Sequence, residues 1–160
     1  IHVWWRGGPL FVRSMRAKHQ TLDTMGAELV ALSEGAKVAV YLRALLNELG
    51  WPEKEPTWLF CDNESAVKVS INPHCFTKKI RHLRARLTWL KEQLADETIR
   101  ITHIPTKLNL ADLQTKPLGR VQFEELVPQC MGLEQPKFFQ DDDFKEKNES
   151  WSRKKKREPG

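Results

Sequence analysis

Cysteine is scarce in this chain: three residues in 160, at Cys61, Cys75 and Cys130, with no Cys-x-x-Cys pair. An odd number of widely spaced thiols argues against a disulfide framework and against a cysteine-built zinc site, and favours a reducing intracellular compartment. No apolar run approaches the roughly 18 residues that cross a bilayer, so membrane insertion is not expected. Neither an internal repeat nor a signal peptide is visible. The chain begins Ile1-His2-Val3 rather than with methionine. That is the pattern of a processed product, a fragment or an incompletely known sequence.

What is present is ordinary for a soluble globular chain, with 40% hydrophobic and 29% charged residues. The length allows one domain with a real core. Lys and Arg number 26 against 21 for Asp and Glu, a net charge of +5. That balance suits a polyanionic partner such as nucleic acid, and equally suits a solvated surface.

Taken in order, residues 2–5 and 10–13 are short apolar-aromatic runs separated by Arg6-Gly7-Gly8-Pro9, where Gly-Gly supplies the positive φ of a tight reversal; a β-hairpin is expected. Asp23 or Thr24 can cap a helix reaching about Leu49, because Met25, Leu29, Leu32, Ala36, Ala39, Leu42, Leu45, Leu46 and Leu49 form one apolar stripe. Gly50 and Pro52 end it. A buried strand over Trp58-Leu59-Phe60 runs into Cys61-Asp62-Asn63, and a short helix over 64–71 follows. A second long helix is expected over 78–95, apolar at Leu83, Leu87, Leu90 and Leu94. Its other face carries Lys78, Lys79, Arg81, Arg84, Arg86 and Lys91, the best phosphate-contact candidate in the chain. Residues 98–104 alternate as a strand, a helix opens over 108–113, and residues 120–131 form a last amphipathic helix. From Glu134 the chain turns polar, ending in Arg153-Lys154-Lys155-Lys156-Arg157, and should be disordered in isolation.

Three acids fall at comparable places. Asp62 stands at a strand end, where it is either the N-cap of the next helix or a metal ligand, and the local signal favours the cap. Glu28 lies near a helix start, where the dipole welcomes a carboxylate whether or not a metal is held. Asp112 lies early in a helix after a strand. Carboxylates brought to one side of an α/β sheet repel one another unless divalent cations neutralise them, and two carboxylate-bridged Mg²⁺ ions are the machinery of phosphodiester hydrolysis. The elements and acids are consistent with a two-metal nuclease. His82 and His103 can be offered as proton carriers, though a surface or half-buried structural role is the simpler reading. The cysteines read as small core residues.

Several motifs follow one another in order: Gly7-Gly8-Pro9-Leu10, Ala27-Glu28-Leu29-Val30-Ala31-Leu32-Ser33-Glu34, Cys61-Asp62-Asn63-Glu64-Ser65-Ala66, Arg81-His82-Leu83, Ile104-Pro105-Thr106-Lys107, and Leu110-Ala111-Asp112-Leu113-Gln114-Thr115-Lys116-Pro117-Leu118-Gly119. In this, residues 1–133 resemble the ribonuclease H domain that ends copia-type retrotransposon polyproteins. The resemblance implies an α/β fold of ribonuclease H-like type, a mixed five-stranded sheet flanked by helices. It also implies cleavage of the RNA strand of RNA–DNA hybrids with Mg²⁺ held by a carboxylate set whose second, third and fourth members match Glu28, Asp62 and Asp112.

The pattern breaks in two places. The family's first carboxylate sits on a strand ahead of the hairpin, and this chain starts inside the second strand. Met25-Gly26-Ala27-Glu28-Leu29 also replaces the family's Ser-Thr-x-Ala-Glu-Tyr. The leading expectation is therefore a domesticated, catalytically inactive domain over 1–133 with a charged tail over 134–160. It would serve as a structural or RNA-binding subunit of a large ribonucleoprotein alongside other proteins, with a mitochondrial ribosome as the assembly named. RNA contacts are expected at Lys78, Lys79, Arg81, Arg84, Arg153, Lys154, Lys155, Lys156 and Arg157, and no small-molecule substrate. The alternative is an active Mg²⁺-dependent ribonuclease H, seen as a fragment of a polyprotein. A third reading is a protein-interaction domain that uses the fold as scaffold.

Overall fold

A computed structural model describes residues 1–14, 24–72, 78–140, 142 and 144–146, the side chains of Lys78 and Lys79 excepted. The chain is mixed α/β, as expected. Its elements are β1 (His2–Trp5), β2 (Gly8–Val12), α1 (Thr24–Glu48), β3 (Thr57–Cys61), α2 (Glu64–Ile71), α3 (Arg84–Ala95), β4 (Ile99–His103) and α4 (Arg120–Cys130). Two compact bodies form, one of Ile1 and Arg13–Pro105, the other of His2–Val12 and the described residues from Thr106 on.

The first body holds the main core. Strands β3 and β4 pair in parallel, with Thr57 opposite Ile99 and Cys61 opposite His103. Parallel strands need a crossover, and here it carries α2 and α3. Leu29, Leu32, Ala36 and Ala39 of α1 recur at helical spacing and bury against Cys61 of β3, Ala66 and Val67 of α2, Leu87 and Leu90 of α3, and Ile99 and Ile101 of β4. Helix α1 stops where Gly50 takes φ +82°. There the Gly50 N–H donates to Asn47 O at 3.0 Å and the Trp51 N–H to Leu46 O at 2.8 Å, a Schellman ending.

The expected single helix over 78–95 divides. Lys78–Leu83 is a 3-10 turn and α3 begins only at Arg84. Ile80 and Leu83 are both buried, and a three-residue step sets them directly above one another in the tighter winding. The four-residue step from Leu83 to Leu87 then suits an α-helix.

In the second body β1 and β2 form the expected antiparallel hairpin, with one difference at the turn. Arg6 (φ +47°) and Gly7 (φ +87°) make the reversal, while Gly8 is already in β2. Two consecutive positive φ values give the turn whose twist matches a hairpin. The helix expected over 108–113 is instead two 3-10 turns, Thr106–Leu108 and Leu110–Gln114. The expectation that everything beyond Glu134 lacks packed structure is also corrected. Lys137–Gln140 is a 3-10 turn, and Pro136, Phe138 and Phe144 are buried. The buried Gln129 side chain of α4 donates to Glu125 O at 2.9 Å and accepts the Lys137 N–H at 2.8 Å. Three apolar rings over nine positions are too few to register as periodicity, so long-range packing supplies what pattern does not show. Residues 147–160, with Arg153, Lys154, Lys155, Lys156 and Arg157, lie outside the described residues, as do Cys75 and residues 15–23, the cap candidate Asp23 among them.

The five-stranded sheet implied by the resemblance is not seen among the described residues. They hold four strands in two separate two-stranded sheets.

Candidate metal centre

Strand β3 ends at Cys61, and the next residues decide what Asp62 is for. The side chain that caps α2 belongs to Asn63, whose Oδ1 accepts the Ala66 N–H at 3.0 Å. The capping role expected of Asp62 is thereby taken by its neighbour. Asp62 is half-buried at the C-terminal end of the parallel pair, the edge where α/β sheets place their binding residues.

Glu28 reaches the same place from α1. Helix α1 has no acid in its first turn, and Glu28, five residues in, stands beyond the strongest part of the dipole. Its carboxylate, the Asp62 carboxylate and the Cys61 sulfur offer ligand atoms that all lie within 4.8 Å of one another. This is the convergence expected of two of the three acids.

Cys61 is a small core residue, as expected, and it also borders the two carboxylates. It is 4% exposed, its Sγ lies 3.9 Å from Glu28 Oε2, and it accepts the Asn63 N–H at 3.4 Å. Burial pushes its thiol up to about 11, an effect the Asn63 contact offsets in part and the Glu28 and Asp62 charges reinforce. At neutral pH it is therefore a neutral thiol. Two carboxylate oxygens suit a small hard cation such as Mg²⁺, which keeps several waters and takes one or two carboxylates from the protein. A protonated sulfur is a poor partner for it. Glu28 and Asp62 thus fit the implied cation, with Cys61 as a wall of the site.

Asp112 has a different setting. In the second body it lies on the 3-10 turn Leu110–Gln114, buried. The Lys116 ammonium stands 3.0 Å from Oδ1 and 3.0 Å from Oδ2. As it stands, this carboxylate already has its cation. Sequence reading missed Lys116, although a Lys four residues after an Asp is a recognisable ion-pair spacing.

Of the basic face, Arg81 and Arg84 are exposed, and the backbones of Lys78 and Lys79 lie on the same 3-10 turn as Arg81. Arg86 is turned away from that role. It bonds to the Glu34 carboxylate and donates to the buried Ser33 hydroxyl at 3.1 Å, tying α3 to α1. His82 is exposed, and His103 is half-buried at the end of β4. Cys130 packs 3.5 Å from His2 Nε2, and His2 Nδ1 accepts the Trp4 indole N–H at 3.0 Å. With Nδ1 so occupied, His2 is not placed to take a proton from that thiol.

No protein-family model matches this chain, and no solved structure matches it. Curated proteins do. Over 127 residues, 79% of its length, the chain is 34% identical to the retrovirus-related Pol polyprotein from transposon TNT 1-94 of Nicotiana tabacum. Over 134 residues it is 28% identical to the retrovirus-related Pol polyprotein from transposon RE2 of Arabidopsis thaliana, covering 78% of the chain. The Ty1-JR2 Gag-Pol polyprotein of Saccharomyces cerevisiae is 28% identical over 117 residues, 72% of the chain. The chain spans 9% of the length of the first two and 6% of the third. Over most of its length, then, this chain is homologous to a short segment of copia-type retrotransposon Pol polyproteins.

Proposed function

We propose that this chain is a ribonuclease H-like segment of a retrotransposon polyprotein, which grips a divalent cation between Glu28 and Asp62 and engages RNA–DNA hybrid. The single observation behind the reading is the meeting of those two carboxylates at the end of β3. They come from elements more than thirty positions apart in the chain, and like charges are brought together at a cost that a cation offsets.

A bound cation would supply charge for a phosphodiester under attack. Glu28 and Asp62 would hold it, with Cys61 and the apolar end of β3 bordering it on one side, and the exposed Arg81 and Arg84 would offer charge to a phosphate backbone. The expectation of a domesticated ribosomal subunit draws no support from the relatives, whose names are those of transposon polyproteins. A non-catalytic hybrid-binding role stands as a second reading, favoured by the ion pair that covers Asp112.

A labelled RNA–DNA hybrid, incubated with the chain in Mg²⁺, separates the two. Cleavage that falls roughly a hundredfold or more in Asp62→Asn and Glu28→Gln supports the nuclease reading. Binding without cleavage supports the second. Cleavage that Asp62→Asn leaves intact overturns the assignment of the site.

A further inference from the structure

Among the described residues, one group of three side chains brings metal-ligating atoms together: Glu28, Cys61 and Asp62. A hard cation has no use for the sulfur, because Mg²⁺ takes oxygen ligands and keeps several waters. Softer divalent ions reverse that preference.

The spacing suits such an ion. Zinc holds thiolate sulfur at about 2.3 Å and carboxylate oxygen at about 2.1 Å, which at the tetrahedral angle sets the two about 3.6 Å apart. Cys61 Sγ and Glu28 Oε2 stand 3.9 Å apart. A contraction of about 0.3 Å closes this pair on a metal, and the Asp62 carboxylate lies within 4.8 Å of both. The sulfur is also supported from behind. The Asn63 N–H donates to it at 3.4 Å, and a backbone donor of this kind steadies a metal-bound thiolate. Cys61 is buried at the end of β3, while Glu28 and Asp62 are half-buried. An ion arriving from water therefore meets the carboxylates first and the sulfur last.

We propose that Cys61 completes, with Glu28 and Asp62, a three-ligand site for a thiophilic divalent ion such as Zn²⁺ or Cd²⁺, which there takes the place of a hard cation. The metal–sulfur bond forms as the S–H bond breaks, and the proton passes to solvent. A fourth ligand position falls to water, as in open zinc sites. The inference rests on the cation reading above in that the two carboxylates are shared; the thiol is its own.

The test is a Cd²⁺ titration of the whole chain, followed by the ultraviolet charge-transfer absorption of the cadmium–thiolate bond. Cys61→Ser is expected to lose the absorption of one thiolate and to weaken that binding step about tenfold or more. This substitution shows that the signal comes from Cys61 rather than from Cys75 or Cys130. Glu28→Gln and Asp62→Asn keep all three thiols, and each should weaken the same step by a similar factor. A titration that Cys61→Ser leaves unchanged overturns the proposal, as does one at Cys61 that neither carboxylate variant alters. If Cys61→Ser does not fold, the carboxylate variants carry the test, and unchanged Cd²⁺ binding in both overturns it.

Mn²⁺ binding, read by electron spin resonance, keeps the two readings apart. Mn²⁺ held equally by the parent and Cys61→Ser, with Cd²⁺ indifferent to that substitution, ends this inference and leaves the hard-cation reading standing. Cd²⁺ held through Cys61 in a chain that takes up no Mn²⁺ does the reverse.

Discussion

Glu34 sits between two cations. Its Oε1 is 2.9 Å from Lys37 Nζ and also accepts from Arg86. The Arg86 bond first, and the Lys37 bond second, hold its carboxyl below the ordinary range. A carboxylate whose native pKa lies below its unfolded value stabilises the fold fully above the unfolded value, about 4.3, and that share is lost as pH falls through the lower native one. Glu34→Gln should therefore be less stable than the parent at pH 7, and the gap should shrink by about pH 3. Urea midpoints at the two pH values check this; a constant gap would mean that the pair adds nothing linked to protonation. Cys61 makes a second residue-scale prediction. With its thiol near 11 and its surface buried, iodoacetamide at pH 8 should label it roughly a hundredfold more slowly in the native chain than in urea, because only thiolate reacts. Peptide mass spectrometry follows the rate. Labelling at the urea rate would show that the end of β3 opens readily.

Helices α1 and α4 end by one device. Gly132 takes φ +77°, its N–H donates to Gln129 O at 3.1 Å, and the Leu133 N–H donates to Pro128 O at 2.9 Å. This repeats the ending at Gly50. Their surroundings differ. A Cβ on Gly50 would meet nothing within 4 Å, whereas one on Gly132 would lie 2.7 Å from Pro9 Cδ. Gly50→Ala should cost only the left-handed backbone penalty, about 1–2 kcal/mol. Gly132→Ala should cost more, because a proline ring closed on the backbone cannot swing aside. Equal costs in chemical unfolding would show that the hairpin yields. At this scale much was legible in the sequence. The stripe of α1, the stop at Gly50 and the apolar run of β3 are local patterns with local causes. The winding of residues 78–83 was not, since it depends on where Ile80 and Leu83 must be buried.

Over the whole molecule the net charge is +5, and the proposed hybrid binding should weaken steeply with salt as counterions are released. Arg81→Ala and Arg84→Ala should each reduce the slope of log affinity against log salt by about one. Arg86→Ala should leave the slope nearly unchanged, because its guanidinium is committed to Glu34 and Ser33. Fluorescence anisotropy with a labelled hybrid, between about 50 and 200 mM KCl, reads all three. A slope indifferent to Arg81 and Arg84 would remove this face from the interface. Sequence spacing placed Arg86 with its basic neighbours; only the packing of α3 on α1 sets it apart.

The sequence by itself determined the order of elements, their apolar faces and the identity of the acids, because these follow from periodicity, turn residues and motifs read within a few positions. It left Asp62 open between cap and ligand, since Asp62 and Asn63 are adjacent and both residue types cap helices. Tertiary structure gave the cap to Asn63 and brought Glu28 to Cys61 across 33 positions of chain. It also buried Asp112 beneath Lys116. The physical reason is common to all three. Whether a carboxylate meets water, a cation or another carboxylate depends on which side chains share its space, and burial sets the energy of that choice.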